Sequence, residues 1–153
     1  MLLISRKEVE NARFIREAIE VAVVRRAAEM ATPGDVKALR ELVDRQAAAG
    51  DHPEQAHFLA LDDAFHQTIA RIVECENAWR VAEDLKVQMD RVRFLSLANA
   101  TPVETIVSQH TAIVDAIAAG SGDAAEAAMR LHLSEVLHSL PRIAEAHAEF
   151  FVP

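Results

Sequence analysis

Tyrosine is absent from the sequence, and its 153 residues include one cysteine, four glycines and five prolines. So little turn chemistry leaves few places for the tight reversals of a many-stranded sheet. The single thiol, Cys75, cannot close an internal disulfide, which fits a reducing compartment. Its neighbours Glu74 and Glu76 disfavour a thiolate, so Cys75 is a poor candidate nucleophile. No apolar run reaches the roughly 18 residues of a spanning helix, and the N-terminus lacks the layout of a secretion signal. The chain therefore reads as soluble and cytoplasmic, with no membrane partner. Positive charge is also scarce: 16 Lys+Arg stand against 24 Asp+Glu, a net charge of −8. Without a basic surplus to meet a phosphate backbone, this chain by itself is a poor DNA binder.

What is abundant is helix-forming. Hydrophobic residues make up 51% of the chain, and Ala, Glu, Leu and Arg dominate. Ser5 and Glu8 have capping-box spacing ahead of a helix with Val9, Ala12, Ile15, Ile19, Ala22 and Val23 on one face. That helix should stop at Ala31-Thr32-Pro33-Gly34. A second, with Val36, Leu39, Leu42 and Val43 inward, ends near Gly50. Asp51-His52-Pro53 opens a third bearing Phe58, Leu61, Phe65 and Ile69. Asn77 is expected to cap a fourth, with Val81, Leu85, Met89, Val92 and Leu95. Thr101-Pro102 starts the fifth, and Asp123 caps one with Ala127, Leu131, Val136 and Leu140 inward. Pro141 should break or kink it before a last helix towards Phe150. The expectation is one all-α domain over residues 6–153, an antiparallel bundle of six or seven helices. Residues 1–5 read as a linker remnant.

Asp62 and His66 are four apart on one helix and so share a face, beside Leu61, Phe65 and Ile69. His110 lies in a stripe with Ile106, Ile113 and Ile117, and His132 sits among Ala128, Leu131, Leu133 and Val136. Three helices thus each turn a histidine inward, and one adds a carboxylate. A lone histidine on an apolar face is usually a hydrogen-bonded core residue. Four ionisable groups in one interior are costly unless paired. As a set they suit Zn²⁺, Ni²⁺, Co²⁺, Mn²⁺ or Fe²⁺. Spacing alone leaves both readings open. Asp63 points roughly 100° from Asp62 and is expected to face solvent, as the substitute ligand if the register shifts. His52 falls in a loop, while His57, His138 and His147 fit solvated helix faces or ends. Arg16 reads either as an i,i+4 surface partner of Glu20 or as a guanidinium aimed at a carboxylate ligand.

These residues resemble a family over essentially the whole chain. The cues are Arg16-Glu17-Ala18-Ile19-Glu20, continuing to Ala27-Ala28-Glu29-Met30-Ala31-Thr32, and Asp62-x-x-Phe65-His66 followed by Asn77. Two more are His110-x-x-Ile113-Val114-Asp115-Ala116-Ile117 and Asp123-x-x-x-Ala127-Ala128-Met129-x-x-His132-Leu133. Each is weak alone; in this order they resemble the C-terminal effector-binding (FCD) domain of GntR-type bacterial transcription regulators of the FadR branch. The resemblance implies an antiparallel helical bundle around a central cavity that holds a divalent metal on Asp62, His66, His110 and His132. It also implies Arg16 facing a small organic acid effector, and a homodimer. Nothing in the chain corresponds to the winged helix-turn-helix of such regulators, so DNA contact is expected only through that separate domain. Sugar acids, dicarboxylates, hydroxy acids and fatty acids all remain candidate effectors. Two other readings stand beside this one. One is a metal-dependent enzyme using Asp63 or Glu104 as base, and the other a dimerising module with core histidines and no metal.

Overall fold

The computed structural model describes residues 3–50 and 55–153, apart from the side chains of 88, 98 and 99. The expected opening of the third helix at Asp51-His52-Pro53, and His52 itself, lie outside the described residues. Six α-helices follow in order: α1 Arg6–Met30, α2 Pro33–Gly50, α3 Gln55–Ile72, α4 Glu76–Asn99, α5 Val103–Ala118 and α6 Gly122–Ala146. A 3₁₀ turn, Ala148–Phe150, closes the chain. The only β pairing among the described residues is an isolated parallel bridge between Ile4 and Phe151. Ile4, within the stretch read as linker, is fully buried there and bonded through its backbone to Phe150 and Val152.

The helix ends follow local chemistry. Ser5 Oγ accepts the Glu8 N–H at 3.3 Å, as its spacing suggested. Thr32 and Asp35 form a reciprocal capping box at the start of α2, with bonds of 2.8 and 3.2 Å, so Pro33 can occupy the first helical position. Three expected caps differ. Cys75, not Asn77, precedes α4, because the chain reverses at Glu74 with φ of 55°. Thr101 turns its hydroxyl inward to Ser96 (2.8 Å) instead of capping α5. Ser121 caps α6 by accepting from the Ala124 N–H at 3.3 Å. Asp123 sits within the first turn, suited to the positive helix end, and pairs with Arg25 at 2.7 Å. α6 also runs unbroken through Pro141. The proline removes one backbone bond, and burial of Leu140, Ile143 and Ala144 around it offsets the loss.

α1 packs on α6, α4, α3 and α5, while α2 covers α3 and α5. Two main apolar cores result, beside a small cluster of Ala70, Trp79 and Ala82. The larger joins Val21, Val24, Leu39, Phe65, Ile69, Ile113, Ile117, Met129 and Leu133. The other gathers Ile4, Val9, Ala12, Met89, Val92, Leu140 and Ile143 at the far end. Between Ala12 and Val21 the buried face of α1 carries Arg16 and Glu20, not the expected Ile15, which is exposed. The buried stripe of α6 likewise runs through Ala125, Met129 and Leu133, leaving Leu131 outside. On α4, Trp79, Ala82 and Lys86 are inside and Val81 is out. A polar layer thus interrupts the hydrophobic pattern midway along the bundle.

This register has a direct test in urea denaturation. Met129, 1% exposed, should cost about 2–5 kcal/mol on replacement by Ala. Leu131, 59% exposed, should change stability by no more than about 0.5 kcal/mol on the same replacement.

Candidate metal centre

α3 supplies Asp62 and His66, α5 His110 and α6 His132, and one donor atom from each lies within 4.8 Å of the others. Such a group could hold a metal ion. His66 Nε2 and His110 Nε2 stand 3.2 and 3.1 Å from His132 Nε2. Asp62 Oδ1 is 3.3 Å from His110 Nε2 and 4.0 Å from His66 Nε2. Around one ion with bonds near 2.1 Å, neighbouring donors stand roughly 3.0–3.4 Å apart and opposite ones about 4.2 Å. The separations fit such a shell.

The far side of each ring decides which nitrogen carries the proton. His110 Nδ1 lies 2.7 Å from Gln46 Oε1, and the Gln46 amide nitrogen donates to the Leu61 carbonyl at 3.2 Å. That second bond assigns the amide oxygen to the histidine, so His110 donates from Nδ1 and its Nε2 is a bare lone pair. The same logic holds at His132, whose Nδ1 is 3.0 Å from Gln109 Oε1 while Gln109 Nε2 donates to Glu135 at 2.9 Å. His66 Nδ1 lies 2.5 Å from a Glu20 carboxylate oxygen but makes no hydrogen bond. The Nε2 lone pairs of His110 and His132 therefore face each other at 3.1 Å with no proton between them, and His66 Nε2 stands 3.2 Å from that of His132. A cation is what this arrangement fits, and the orienting partners are those metal-bound histidines use.

Electrostatics agree. Burial pushes His110 down to about 3 even though Asp62 favours its charged form, and it pushes His132 well below the ordinary imidazole value. Burial would raise Glu20, but Arg16 and His66 outweigh it and hold the carboxyl at about 2. Burial opposes ionisation of Asp62 too, and Arg93 with the histidines overcomes it, keeping the carboxyl far below its usual range. Arg93 donates to Asp62 with one nitrogen and with the other to Asp63 (3.3 Å) and Asp90 (2.7 Å). Lys86, itself buried, reaches Asp63 at 2.6 Å and lies over the Trp79 ring.

Asp63 is therefore not free in solvent as expected; it belongs to a charge network joining α3 to α4. Arg16 makes its expected pair with Glu20, but inside the bundle and not on the surface. Its Nη2 is buried without a hydrogen-bond partner. Beside the histidines is a cavity of about 60 Å³ lined by Arg16, Asp62, Arg93, His132 and Glu135, with walls that include Phe58 and Met89. That volume admits about four to six water-sized groups. Glu104, His57 and His138 are exposed, away from the cluster. Sequence reading missed Glu20, Gln46, Gln109 and Arg93 as orienting groups. Gln46, three residues after Val43 on the inward face of α2, was the legible one.

For the metal-free domain, the lowered groups of the site, His110 and Glu20 among them, push stability the same way. His110 binds its proton near pH 6.5 when unfolded but only near pH 3 when folded, and Glu20 behaves likewise between 4.5 and about 2. The unfolded chain takes up more protons on acidification, so stability present above pH 6.5 is lost as pH falls. His110 alone contributes about 1.4 kcal/mol per pH unit below 6.5. Thermal melts of chelator-treated protein from pH 7 to 4 should show a steady fall, and His110→Gln should flatten the upper part of that slope.

The model for the FCD domain family matches residues 12–135. The chain is 39% identical over 148 residues to the HTH-type transcriptional repressor RspR of Escherichia coli (strain K12), covering 97% of this chain and 65% of that protein. It is 28% identical over 141 residues to the HTH-type transcriptional regulator LutR of Bacillus subtilis (strain 168), covering 88% of this chain and 63% of that protein. The chain thus spans slightly under two thirds of the length of these relatives. Among solved structures, E. coli McbR/YncC aligns with a TM-score of 0.78 over 94% of this chain and 68% of that one. At 16% identity that likeness is one of fold. The match over residues 12–135 shows that the chain belongs to the FCD domain family, and its relatives are HTH-type transcription regulators of the GntR kind.

Proposed function

We propose that this domain is the ligand sensor of a bacterial transcription regulator. In this reading Asp62, His66, His110 and His132 hold a divalent metal (Zn, Ni, Mn, Co or Fe), and Arg16 joins the metal in binding a small organic acid. One observation carries the metal: the Nε2 atoms of three histidines converge, and those of His110 and His132 are bared by the acceptors that face their Nδ1. When bound, a divalent ion supplies open coordination positions for carboxylate or hydroxyl oxygen. Arg16 Nη2, buried and unpartnered, supports a role for Arg16 in pairing with the ligand's carboxylate. The cavity's size suits a small organic acid.

The carboxylates nearest the histidines are paired with arginines, which favours sensing over catalysis. Asp62 is held by Arg93 and Glu20 by Arg16. Neither is left as a free general base for activating water, and the named relatives are regulators. The effector's influence would reach DNA through a helix-turn-helix domain of a longer, dimeric protein in the cytoplasm. None of the described helices is long and apolar enough to cross a membrane.

Elemental analysis of protein from metal-replete medium should find about one divalent ion per chain. Joint replacement of His110 and His132 by Ala should abolish it. A metal-free wild-type preparation that takes up no added ion would overturn the reading. Organic acids that raise the melting temperature should lose that effect with chelator. With Arg16→Ala the ligand-induced shift, measured from the variant's own baseline, should fall to less than half.

A further inference from the structure

The cavity is graded along α6. His132 stands at the metal cluster, Glu135 lies one turn further and Ser139 two turns, all three lining the cavity. At 1.5 Å per residue the run covers about 10 Å. Glu135 is half-buried, and one of its oxygens accepts from Gln109 Nε2 at 2.9 Å. The far end is walled by Ser96, Thr101 and Ser139, each at most 6% exposed. Ser96 and Thr101 share one hydrogen bond of 2.8 Å, and Ser139 donates back to its own helix at 3.2–3.3 Å. These hydroxyls keep lone pairs for a ligand, and the Ser96–Thr101 pair keeps one donor as well.

Charge pairing restricts what can enter. Arg16 is matched by Glu20, and Arg93 is shared among Asp62, Asp63 and Asp90. Glu135 adds a further negative charge on the cavity wall, so little positive charge is left to hold a second ligand carboxylate. A second carboxylate on the ligand would run along α6 into Glu135, whose remaining oxygen can only accept. Like charges at such range in a dry cavity repel strongly, whereas a ligand hydroxyl would donate to that oxygen.

We propose that Glu135 is the residue that sets effector class: it selects a short hydroxylated monocarboxylic acid and rejects the matching dicarboxylic acid. The carboxylate end sits at Arg16 and the metal cluster, and the hydroxyls meet Glu135 and the Ser96, Thr101 and Ser139 group. Gln109 bridges Glu135 to His132 Nδ1, so ligand contact at Glu135 is joined to a histidine of the cluster through one amide. The inference rests on the sensor reading above.

Calorimetric titration of the metal-loaded protein tests it with three four-carbon acids: threonate, tartrate and butyrate. Threonate and tartrate differ in whether the far carbon is a hydroxymethyl or a carboxylate, and butyrate lacks hydroxyls. Threonate should bind at least tenfold tighter than either. Glu135→Gln keeps an acceptor for Gln109 and should keep its metal, yet bring tartrate to within about threefold of threonate. Equal affinity for threonate and tartrate in the wild type would overturn the role of Glu135 while leaving the sensor reading intact. So would an unchanged ratio in Glu135→Gln. No binding of any of the three to protein shown to carry its metal would count against both.

Discussion

Three imidazole nitrogens and a carboxylate oxygen meet in the interior of a bundle whose other buried residues are mostly aliphatic, and everything around them is arranged to keep them there. The Nε2 lone pairs of His110 and His132, 3.1 Å apart with no shared proton, repel each other, and burial holds both rings neutral. Protonation, the ordinary relief for crowded imidazoles, is therefore expensive in this setting. The cluster also divides the apolar interior in two, with Phe65 and Met129 on one side and Met89 and Leu140 on the other. A domain of this size could have filled that layer with leucine. Buried ionic groups are a poor route to stability compared with packed hydrocarbon, so the layer is better understood as a binding device that the two cores hold in place.

The device depends on orientation more than on the four donors themselves. Gln46 on α2 and Gln109 on α5 each spend their amide nitrogen elsewhere, so their oxygens choose the histidine tautomer. Glu20 faces His66 Nδ1 from α1. The two guanidiniums divide the remaining work. Arg93 has three carboxylate partners and serves to keep Asp62 ionised and aimed. Arg16 has one, and retains a buried nitrogen with no hydrogen-bond partner beside the cavity.

Much of this could be seen in the chain, and the misses share a cause. The spacing of Asp62 and His66 put two donors on one face, and the aliphatic neighbours of His110 pointed it inward. Periodicity of hydrophobic residues gave the helices and most of their lengths. It failed where the inward face is polar. On α1 the rule chose Ile15 and Ile19 because Arg16 and Glu20 looked like a surface pair, yet those two are 3% and 6% exposed. On α4 it chose Val81 over Lys86 for the same reason. Charges that neutralise one another across helices are invisible to a pattern that reads one helix at a time. The resemblance to effector domains supplied what periodicity could not, a reason for Arg16 to lie inside. Neither approach pointed to Gln109, whose role exists only because its amide faces His132 on α6 while its nitrogen faces Glu135.

The seam between α3 and α4 shows how such a layer can influence structure beyond itself. Asp62 and Asp63 on one helix are matched by Lys86 and Arg93 on the other, with Asp90 completing the network. Lys86 and Arg93 are buried or nearly so, and stranding one partner of a buried pair costs about 3–5 kcal/mol. Arg93 contacts Asp62, a member of the donor cluster, with one nitrogen and the outer carboxylates with the other. A change of charge at the donor cluster therefore alters the balance of forces on Arg93. An effector can shift a conformational equilibrium only by its differential affinity for the two states. A seam held by opposed charges, next to the cavity and lined by the same arginine, is where this bundle could store that difference.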